Sequence, residues 1–238
     1  MIDLHSHILP SLDDGAHSWE EAISMCQMAW EDGIQIIAAT PHFLNGVYDV
    51  DVAAITVQCE ELRDRLRREN VPIEVVQGAE IYSCVNLPKL LKAESILTLG
   101  GGGCYFLLEF PHSIVPPNAE QLIFELALKG LIPVIAHPER NLHIQGDTAI
   151  LERLVSQGAF CQVTAMSLTG AFGRRAEECV YQLLEKGCVH LVASDAHGTH
   201  ARPPILSEAR RHVLKYAGAR RARELFEEFP KKILEEKA

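Results

Sequence analysis

The sequence predicts a single α/β domain whose parallel strands close, or nearly close, into a barrel. Seven short apolar segments alternate with amphipathic helical segments along the 238 residues, and the connections between them are short. The apolar segments are rich in Ile, Val, Leu and Phe and are apolar on both faces, as parallel strands covered by helices are. The sequence shows no linker that would separate two domains. We therefore expect one barrel domain over residues 1–238.

The predicted elements follow the chain in order. Strands are expected at residues 2–4, 34–40, 73–79, 104–110, 131–136, 160–164 and 189–194. Helices are expected at residues 19–32, 53–69, 120–129, 149–157 and 174–186. Ser18 and Glu21 form a capping-box pattern that predicts where the first helix begins. From about residue 218 we expect a C-terminal helical extension, with charged helices that break at Pro230.

The composition limits the partners and the location of the protein. A formal net charge of -10 argues against a nucleic-acid binder, because no basic stripe is available to neutralise phosphates. The seven cysteines show no pairing pattern, which fits a reducing compartment, and the N-terminus has no secretory signal pattern. No apolar run approaches the roughly 20 residues that span a bilayer, so no membrane insertion is expected. These features predict a cytoplasmic protein.

Ionisable side chains stand at the carboxyl ends of six of the seven predicted strands. His5 and His7 follow the first strand. Side chains at i and i+2 of an extended segment point to the same side, so the two imidazoles can share one metal ion. The other strand ends carry His42, Glu80, Glu109, His137, Asp195 and His197. In a parallel barrel these ends meet at one face, where active sites are built.

Taken singly, each of these residues is better explained as a strand-end cap or a hydrogen-bonded core histidine than as a metal ligand. Their recurrence at successive strand ends indicates instead a site for several metal ions. Imidazoles and carboxylates without cysteine suit zinc, manganese or iron. Carboxylates gathered at one place would also repel one another strongly without cations between them. The sequence therefore predicts a polynuclear metal centre.

Two arginines follow the histidines of this set. Arg140 lies three residues after His137, and Arg202 lies five residues after His197. A guanidinium beside a metal cluster is suited to bidentate binding of phosphate oxygens, although a surface salt bridge is the commoner role of an arginine. We expect both arginines to act on a phosphate group.

One further motif match is discounted. Cys59 and Arg65 match the Cys-x5-Arg spacing of the cysteine-dependent phosphatases, but the intervening residues include Glu60 and Glu61 in the middle of a helical pattern. A cysteine phosphatase needs backbone amides curled around an anion and a lowered thiol pKa. Two glutamates in a helix oppose both, so the match is a coincidence.

Six motifs together resemble the PHP (polymerase and histidinol phosphatase) superfamily. They are Asp-Leu-His-Ser-His with Asp13-Asp14-Gly15, Thr-Pro-His, Gly-Ala-Glu-Ile-Tyr, Leu-Glu-Phe, Ala-His-Pro-Glu-Arg, and Ser-Asp-Ala-His followed by Arg-Pro-Pro. The order and spacing are most similar to the bacterial branch of capsule- and exopolysaccharide-associated protein-tyrosine phosphatases. The resemblance covers roughly residues 1 to 215.

The resemblance implies a distorted seven-stranded (β/α)7 barrel with three divalent metal ions at the C-terminal ends of the strands. Manganese is common in this branch, and zinc, iron and cobalt are alternatives. The resemblance assigns nine ligands to three ions: His5, His7, Glu80 and Asp195 to the first, Glu80, Glu109 and His137 to the second, and Asp14, His42 and His197 to the third. Whether Asp13 or Asp14 is the ligand stays open at this point.

The same resemblance implies hydrolysis of phosphotyrosine by metal-activated water, with Arg140 and Arg202 stabilising the phosphoryl charge and without a thiol intermediate. The implied substrate is a phosphotyrosine protein, a bacterial tyrosine autokinase that controls polysaccharide export. One alternative keeps the site but acts on another phosphoester, as a histidinol-phosphatase-like or nuclease-like enzyme. The lack of a large basic insertion argues against the nuclease. Another alternative is a metal-binding regulatory module without turnover.

Overall fold

The computed structural model describes residues 1–48, 50–84, 87–90, 97–101 and 103–236. Residues 237 and 238 of the predicted C-terminal segment lie outside this range. Strands and helices alternate along the chain, and the strand pairs of the described residues are parallel. The predicted α/β class is confirmed.

The described residues contain nine strands. They are β1 (Ile2–Asp3), β2 (Ile36–Ala39), β3 (His42–Phe43), β4 (Glu74–Gln77), β5 (Glu80–Tyr82), β6 (Tyr105–Glu109), β7 (Ile132–Ala136), β8 (Phe160–Thr164) and β9 (Leu191–Ala193). One sheet has the order β1-β2-β4, and the other has the order β3-β5-β6-β7-β8-β9. Two sheets with nine strands therefore stand where the sequence predicts one barrel of seven.

The two extra strands, β3 and β5, lie just beyond the predicted strands 34–40 and 73–79. β2 lies within the first of these, and β3 begins after Pro41, which has no N–H to donate to a ladder. β4 lies within the second, and β5 begins two residues after Gly78. A Cβ on Gly78 would lie 3.0 Å from the side chains of Thr40 and Leu99, so the backbones approach closely here. The junctions from β2 to β3 and from β4 to β5 fall at the same level of neighbouring strands.

Backbone hydrogen bonds connect the two sheets. The Glu80 N–H donates to Pro41 O (3.0 Å) where the chain passes from one sheet to the other. At the opposite edge, the His7 N–H donates to Ala196 O (2.8 Å), beside a parallel bridge between the segments that follow β1 and β9. The chain ends that carry the predicted ligands therefore lie side by side.

Ten α-helices are present in the described residues. They are α1 (Trp19–Glu31), α2 (Val52–Arg68), α3 (Leu87–Leu90), α4 (Ala119–Ala127), α5 (Leu142–Gly146), α6 (Ala149–Ser156), α7 (Ala165–Leu168), α8 (Arg174–Glu185), α9 (Ser207–Arg223) and α10 (Phe229–Glu235). The five predicted helices are confirmed as α1, α2, α4, α6 and α8. Ser18 caps α1 as predicted, because its Oγ accepts a hydrogen bond from the Glu21 N–H (3.2 Å).

The C-terminal segment differs from the prediction in where it is interrupted. Gly218, with φ 85° and ψ 171°, interrupts α9, since this backbone conformation favours glycine. Pro230 lies in the first turn of α10, where its missing N–H would have no helical partner in any case. A break at Pro230 is therefore wrong. Phe226 and Ile233 are fully buried, so this segment packs against the rest of the domain.

Two hydrophobic cores stabilise the fold. The larger core lies between the strands and the helices that cover them. The smaller core gathers apolar side chains from many strands and from α10: Ile2, Leu4, Ala38, Leu99, Cys104, Tyr105, Leu107, Val134, Leu191 and Ile233. Four of the predicted ligands, His5, His7, Glu80 and Asp195, are buried although they are polar. Over the described ranges, every helix is too short or too polar to cross a bilayer.

Candidate metal centre

Residues at the strand termini and on one loop bring all nine predicted ligands together. His5 and His7 follow β1, while His42 and Glu80 open β3 and β5 and are paired in register. Glu109 ends β6, and His137 follows β7. Asp195 and His197 follow β9, and Asp14 lies on the loop between β1 and α1. Neighbouring parallel strands therefore place side chains from distant parts of the chain within contact distance.

Four side chains surround the point predicted for the first ion. His5 Nε2 lies 3.3 Å from His7 Nε2 and 3.4 Å from both Glu80 Oε1 and Asp195 Oδ1. His7 Nε2 lies 3.4 Å from Glu80 Oε2 and 3.5 Å from Asp195 Oδ1. Donors that each bind one ion at about 2.1 Å are separated by about 3.0 to 3.4 Å. His5, His7 and Glu80 thus form a group with metal-ligand spacing, and Asp195 Oδ1 lies within 3.5 Å of both histidines.

Glu80 stands at the centre of the cluster. Its Oε1 atom lies 2.8 Å from His137 Nε2, and its Oε2 atom lies 3.0 Å from His42 Nδ1. Each oxygen also faces one of the two histidines that follow β1. The two oxygens of Glu80 therefore face different histidines, and Glu80 belongs to two of the groups with metal-ligand spacing.

Glu109 lies at the margin of the cluster. Its Oε2 atom is 3.6 Å from His42 Nδ1, and Glu109, His42 and Glu80 form a group with metal-ligand spacing. The resemblance pairs Glu109 with His137 and Glu80 instead. In the structure, Glu109 is grouped with Glu80, as the resemblance implies, and also with His42.

A further group contains Asp14. Its Oδ1 atom lies 3.4 Å from His42 Nε2 and 3.5 Å from His197 Nε2. With His7 these residues form a four-membered group whose donor atoms lie within 4.8 Å of one another. The predicted third set, Asp14, His42 and His197, is therefore brought together in the structure.

Asp13 contacts the cluster in a different way. Its Oδ2 atom lies 2.6 Å from His7 Nδ1 and accepts a hydrogen bond from the His42 N–H (2.9 Å). Its Oδ1 atom accepts from the Gly15 N–H (2.9 Å). Asp13 thus orients the ring of His7, while Asp14 faces the ligand atoms of two other histidines. A carboxylate on the second nitrogen of a ligating imidazole is the usual arrangement at metal sites.

Sequence reasoning misses Gln162. It lies on β8, the one predicted strand without a ligand-type residue, and it is fully buried. Its Oε1 atom lies 2.9 Å from His5 Nδ1 and accepts from the His137 N–H (3.3 Å). A buried amide in an apolar strand is the sequence feature that could have indicated this role.

Two ligand candidates have strained backbones. His137 has φ 33° and Asp195 has φ 53°, in the left-handed region that side chains other than glycine rarely adopt. The surrounding structure holds both conformations, and such strain is concentrated at functional sites. With these backbone conformations, the side chains of His137 and Asp195 lie in the cluster rather than continuing their strands.

The charged side chains of the cluster shift one another's pKa values. Burial opposes a charge on His7, but Asp13, with Asp195 and Glu80, outweighs burial and raises the pKa of His7 well above its usual range. Despite burial, Asp14 and Glu80 raise the pKa of His42 to about 10. The pKa of Glu80 lies well below its usual range because the neighbouring histidines outweigh its burial. Without cations, these histidines therefore hold the protons that balance the carboxylates.

The residues fit metal ions by two further observations. Glu80 Oε2 and His42 Nδ1 are buried and lie 3.0 Å apart, but their contact lacks hydrogen-bond geometry, and buried polar atoms of this kind are costly unless something else satisfies them. The donors are imidazole nitrogens and carboxylate oxygens, which suit divalent ions such as manganese and zinc. The candidate centre thus provides both the donor chemistry and the unpaired atoms that cations would satisfy.

Arg140 and Arg202 meet at a single carboxylate oxygen. Arg140 Nη1 lies 2.6 Å from Asp195 Oδ2, and Arg202 Nη2 donates to the same atom. The other oxygen of Asp195 faces His5 and His7. The side chains of Arg140 and Arg202 are 25% and 23% exposed, so both arginines lie at the rim of the centre and are reached by solvent.

Cys59 takes no part in this site. It is buried within α2, and burial raises the pKa of its thiol to about 11. A thiol of this kind is neutral at pH 7 and a poor nucleophile. The structure supports the interpretation of the Cys-x5-Arg match as a coincidence.

Known proteins resemble this chain over most of its length. A family model described as "Capsular polysaccharide synthesis, CpsB/CapC" matches residues 1–235. The tyrosine-protein phosphatase YwqE of Bacillus subtilis is 44% identical over 202 residues, which cover 85% of this chain and 79% of that protein. The putative tyrosine-protein phosphatase CapC of Staphylococcus aureus is 34% identical over 208 residues, which cover 87% of this chain and 81% of that protein.

A solved structure is similar throughout. It comes from a study of YwqE from Bacillus subtilis and CpsB from Streptococcus pneumoniae, described as unique metal-dependent tyrosine phosphatases. Its TM-score to this chain is 0.95 at 40% identity, and the match covers 100% of this chain and 96% of that chain. The likeness therefore includes every strand end that contributes to the candidate centre.

Proposed function

The chain belongs to the CpsB/CapC family of capsular polysaccharide synthesis, and we propose on this premise that it is a metal-dependent protein-tyrosine phosphatase. The observation that carries the proposal is the cluster of imidazoles and carboxylates around Glu80, with two arginines joined to it through Asp195. A cluster of this kind combines metal ligands with cations that bind a phosphate group.

We propose three divalent ions, with manganese as the favoured metal and zinc, iron or cobalt as alternatives. Three groups of donors with ligand spacing support this number. The proposed ligands are His5, His7, Asp14, His42, Glu80, Glu109, His137, Asp195 and His197. The contacts of Asp14 with two histidines favour it over Asp13 as the ligand.

In the proposed mechanism, the metal ions and the side chains of the protein have separate roles. When bound, the ions polarise the phosphate oxygens and lower the pKa of a water molecule. Arg140 and Arg202 bind the phosphoryl oxygens at the rim, where their charge offsets the negative charge that develops during transfer. Asp195 fixes both guanidinium groups before the substrate arrives, since its Oδ2 atom accepts from each. The phenolate of tyrosine is a fair leaving group, so the site needs no strong general acid.

We propose as substrate a phosphotyrosine protein, in particular a tyrosine autokinase that controls capsule or exopolysaccharide synthesis, and the cytoplasm as its location. The family supports the link to capsule synthesis. The hydrogen bonds between the sheets, and between the segments after β1 and β9, support a single distorted (β/α)7 barrel over residues 1–238.

Hydrolysis of a phosphotyrosine peptide tests the function. The purified protein should release phosphate with added Mn²⁺, lose activity on chelation and resist thiol alkylation. Replacing both His5 and His7 by glutamine should abolish turnover, whereas Cys59→Ser serves as the matched control and should retain it. Activity that survives the histidine changes, or that depends on Cys59, would contradict the metal mechanism.

The alternative small-molecule phosphatase uses the same residues. Histidinol phosphate and a phosphotyrosine peptide, assayed side by side at equal concentrations, separate the two. A higher kcat/KM for the peptide supports the proposed function. A higher kcat/KM for histidinol phosphate would move the assignment to the alternative, and metal binding without turnover of either would favour the regulatory module.

A further inference from the structure

Phe172 lies over the two rim arginines. Its ring centroid is 4.6 Å from the Cζ atom of Arg140 and 5.8 Å from that of Arg202. Both distances lie within the range of about 6 Å at which a guanidinium is attracted by the face of an aromatic ring. One ring therefore contacts both of the cations that we assign to the phosphate group.

A tight turn holds this ring in place. Residues 169–173 connect α7 to α8, and Gly170 (φ 78°) and Gly173 (φ 89°) provide the positive φ angles that the turn requires. The Ala171 N–H donates to Met166 O (2.9 Å), and the Gly173 N–H donates to Gly170 O (2.9 Å). Phe172 is thus presented by a hydrogen-bonded turn.

A buried glutamate ties the turn to the arginine segment. Glu139 directly precedes Arg140 and is fully buried. Its Oε1 atom accepts from the Thr164 N–H (2.9 Å) and from Ser167 Oγ (2.7 Å), at the beginning and within α7. These hydrogen bonds fix α7, which leads into the turn, to the segment that carries Arg140. The ring of Phe172 and the guanidinium of Arg140 are thereby held next to each other.

Packing in a hydrophobic core does not explain the position of the Phe172 ring. The ring is partly exposed, and among the described residues it lies outside both hydrophobic cores. The two guanidinium groups converge on one oxygen of Asp195 and repel each other. The negative face of an aromatic ring offsets part of this repulsion, which an aliphatic side chain of similar size does not.

We propose that Phe172 is a positioning residue, which holds Arg140 and Arg202 in the geometry that binds the phosphoryl group. The inference rests on the proposed function of the two arginines. It goes beyond that function because Phe172 itself binds neither metal nor phosphate. The ring preorganises two cations that would otherwise lose conformational freedom on binding the substrate.

A substitution series separates the ring charge from its bulk. Phe172→Leu should lower kcat/KM for a phosphotyrosine peptide about 10-fold, mainly through KM, because two cation–π contacts are lost. Phe172→Tyr and Phe172→Trp should keep at least about half of the wild-type value. Site-specific mono-, di- and trifluorinated phenylalanine at this position should weaken binding stepwise, since fluorine withdraws charge from the ring face at nearly constant size.

A phosphate titration and a control variant complete the test of Phe172. Calorimetric titration of the metal-loaded protein with inorganic phosphate should show the same order of affinities, and it reports on Phe172 even if the protein does not hydrolyse phosphotyrosine. Metal content and melting temperature should not change in Phe172→Leu. Phe124→Leu, which alters an exposed ring on α4, should leave all of these quantities unchanged. Wild-type phosphate affinity in Phe172→Leu, or equal losses in the leucine, tyrosine and tryptophan variants, would overturn the proposal.

Discussion

Asp13 Oδ2 lies 2.6 Å from His7 Nδ1, on the side of the imidazole away from the Nε2 atom that faces Glu80 and Asp195. The contact separates the roles of two adjacent carboxylates. Asp13 fixes the ring of a ligand candidate, while Asp14 faces His42 and His197. Adjacent residues of a loop point in different directions, and here that difference gives one orienting group and one proposed ligand.

We expect Asp13→Asn and Asp14→Asn to have different effects on metal binding. Asp13→Asn should weaken metal affinity about 10- to 100-fold while the full number of ions still binds at saturation, because an orienting partner is lost. Asp14→Asn should lower the number of bound ions, because a proposed ligand is lost. Elemental analysis and a competition titration measure both quantities. The assignment fails if Asp13→Asn loses an ion and Asp14→Asn does not.

Replacing Arg202 by lysine should impair turnover without removing metal. A lysine provides one point charge where the guanidinium provides paired donors. We expect kcat/KM for a phosphotyrosine peptide to fall about 10²-fold, as for the loss of one electrostatic stabiliser of a transition state. Arg174→Lys, at an exposed ion pair with Glu178, is the matched control and should be neutral. An Arg202→Lys variant with the wild-type kcat/KM would contradict the proposed phosphate contact.

Metal binding should release protons at neutral pH. Asp14 and Glu80 raise the pKa of His42 to about 10 despite its burial, so the metal-free ring is protonated at pH 7 and must lose its proton to bind an ion. Calorimetric titration with Mn²⁺ in buffers of different ionisation enthalpy should show net release of at least about one proton. Affinity should weaken as the pH falls. Binding without proton release would contradict this electrostatic description.

His190 should make the fold less stable in mild acid. Burial, followed by the charge of Arg221, lowers the pKa of His190 to about 4, and its Nδ1 atom accepts from the Cys161 N–H (3.1 Å). Between pH 6.5, the pKa of His190 in the unfolded chain, and about pH 4, the unfolded chain binds more protons than the folded protein. The free energy of unfolding therefore falls as the pH decreases through this range. The full loss is about 3 kcal/mol, complete below about pH 4.

Denaturation of the metal-free protein at a series of pH values measures this loss. His190→Asn retains an acceptor but does not titrate, so the difference between variant and wild type isolates the contribution of His190 from that of the carboxylates. Parallel pH curves for the two proteins would show that His190 does not contribute.

The C-terminal segment should be essential for stability. Phe226 is fully buried in the larger core, so Phe226→Ala should lower the free energy of unfolding by about 3 to 5 kcal/mol. Phe124, 62% exposed on α4, is the matched control, and Phe124→Ala should cost less than about 0.5 kcal/mol. Similar denaturation midpoints for the two variants would show that the segment is a dispensable extension.

The sequence by itself determined the α/β class, five helices and the strand ends that carry His5, Glu80 and Asp195. These features are local, since the apolar period identifies each strand and the residues that follow it are read directly from the chain. A parallel arrangement then requires the strand ends to meet, whatever the details of the pairing. The ligand candidates at the strand ends therefore follow from the sequence alone.

Only the tertiary structure decided how the strands divide between two sheets, what Asp13 does, and that Gln162 and Phe172 belong to the site. Each of these depends on contacts between segments far apart in the chain, such as His5 with Gln162, 157 residues later. The local pattern of an apolar strand does not specify the hydrogen-bond partner of a buried amide, nor which cations a loop phenylalanine meets. Packing fixes those partners, because a buried polar group or a converging pair of charges is stable only where the fold supplies the complementary atoms.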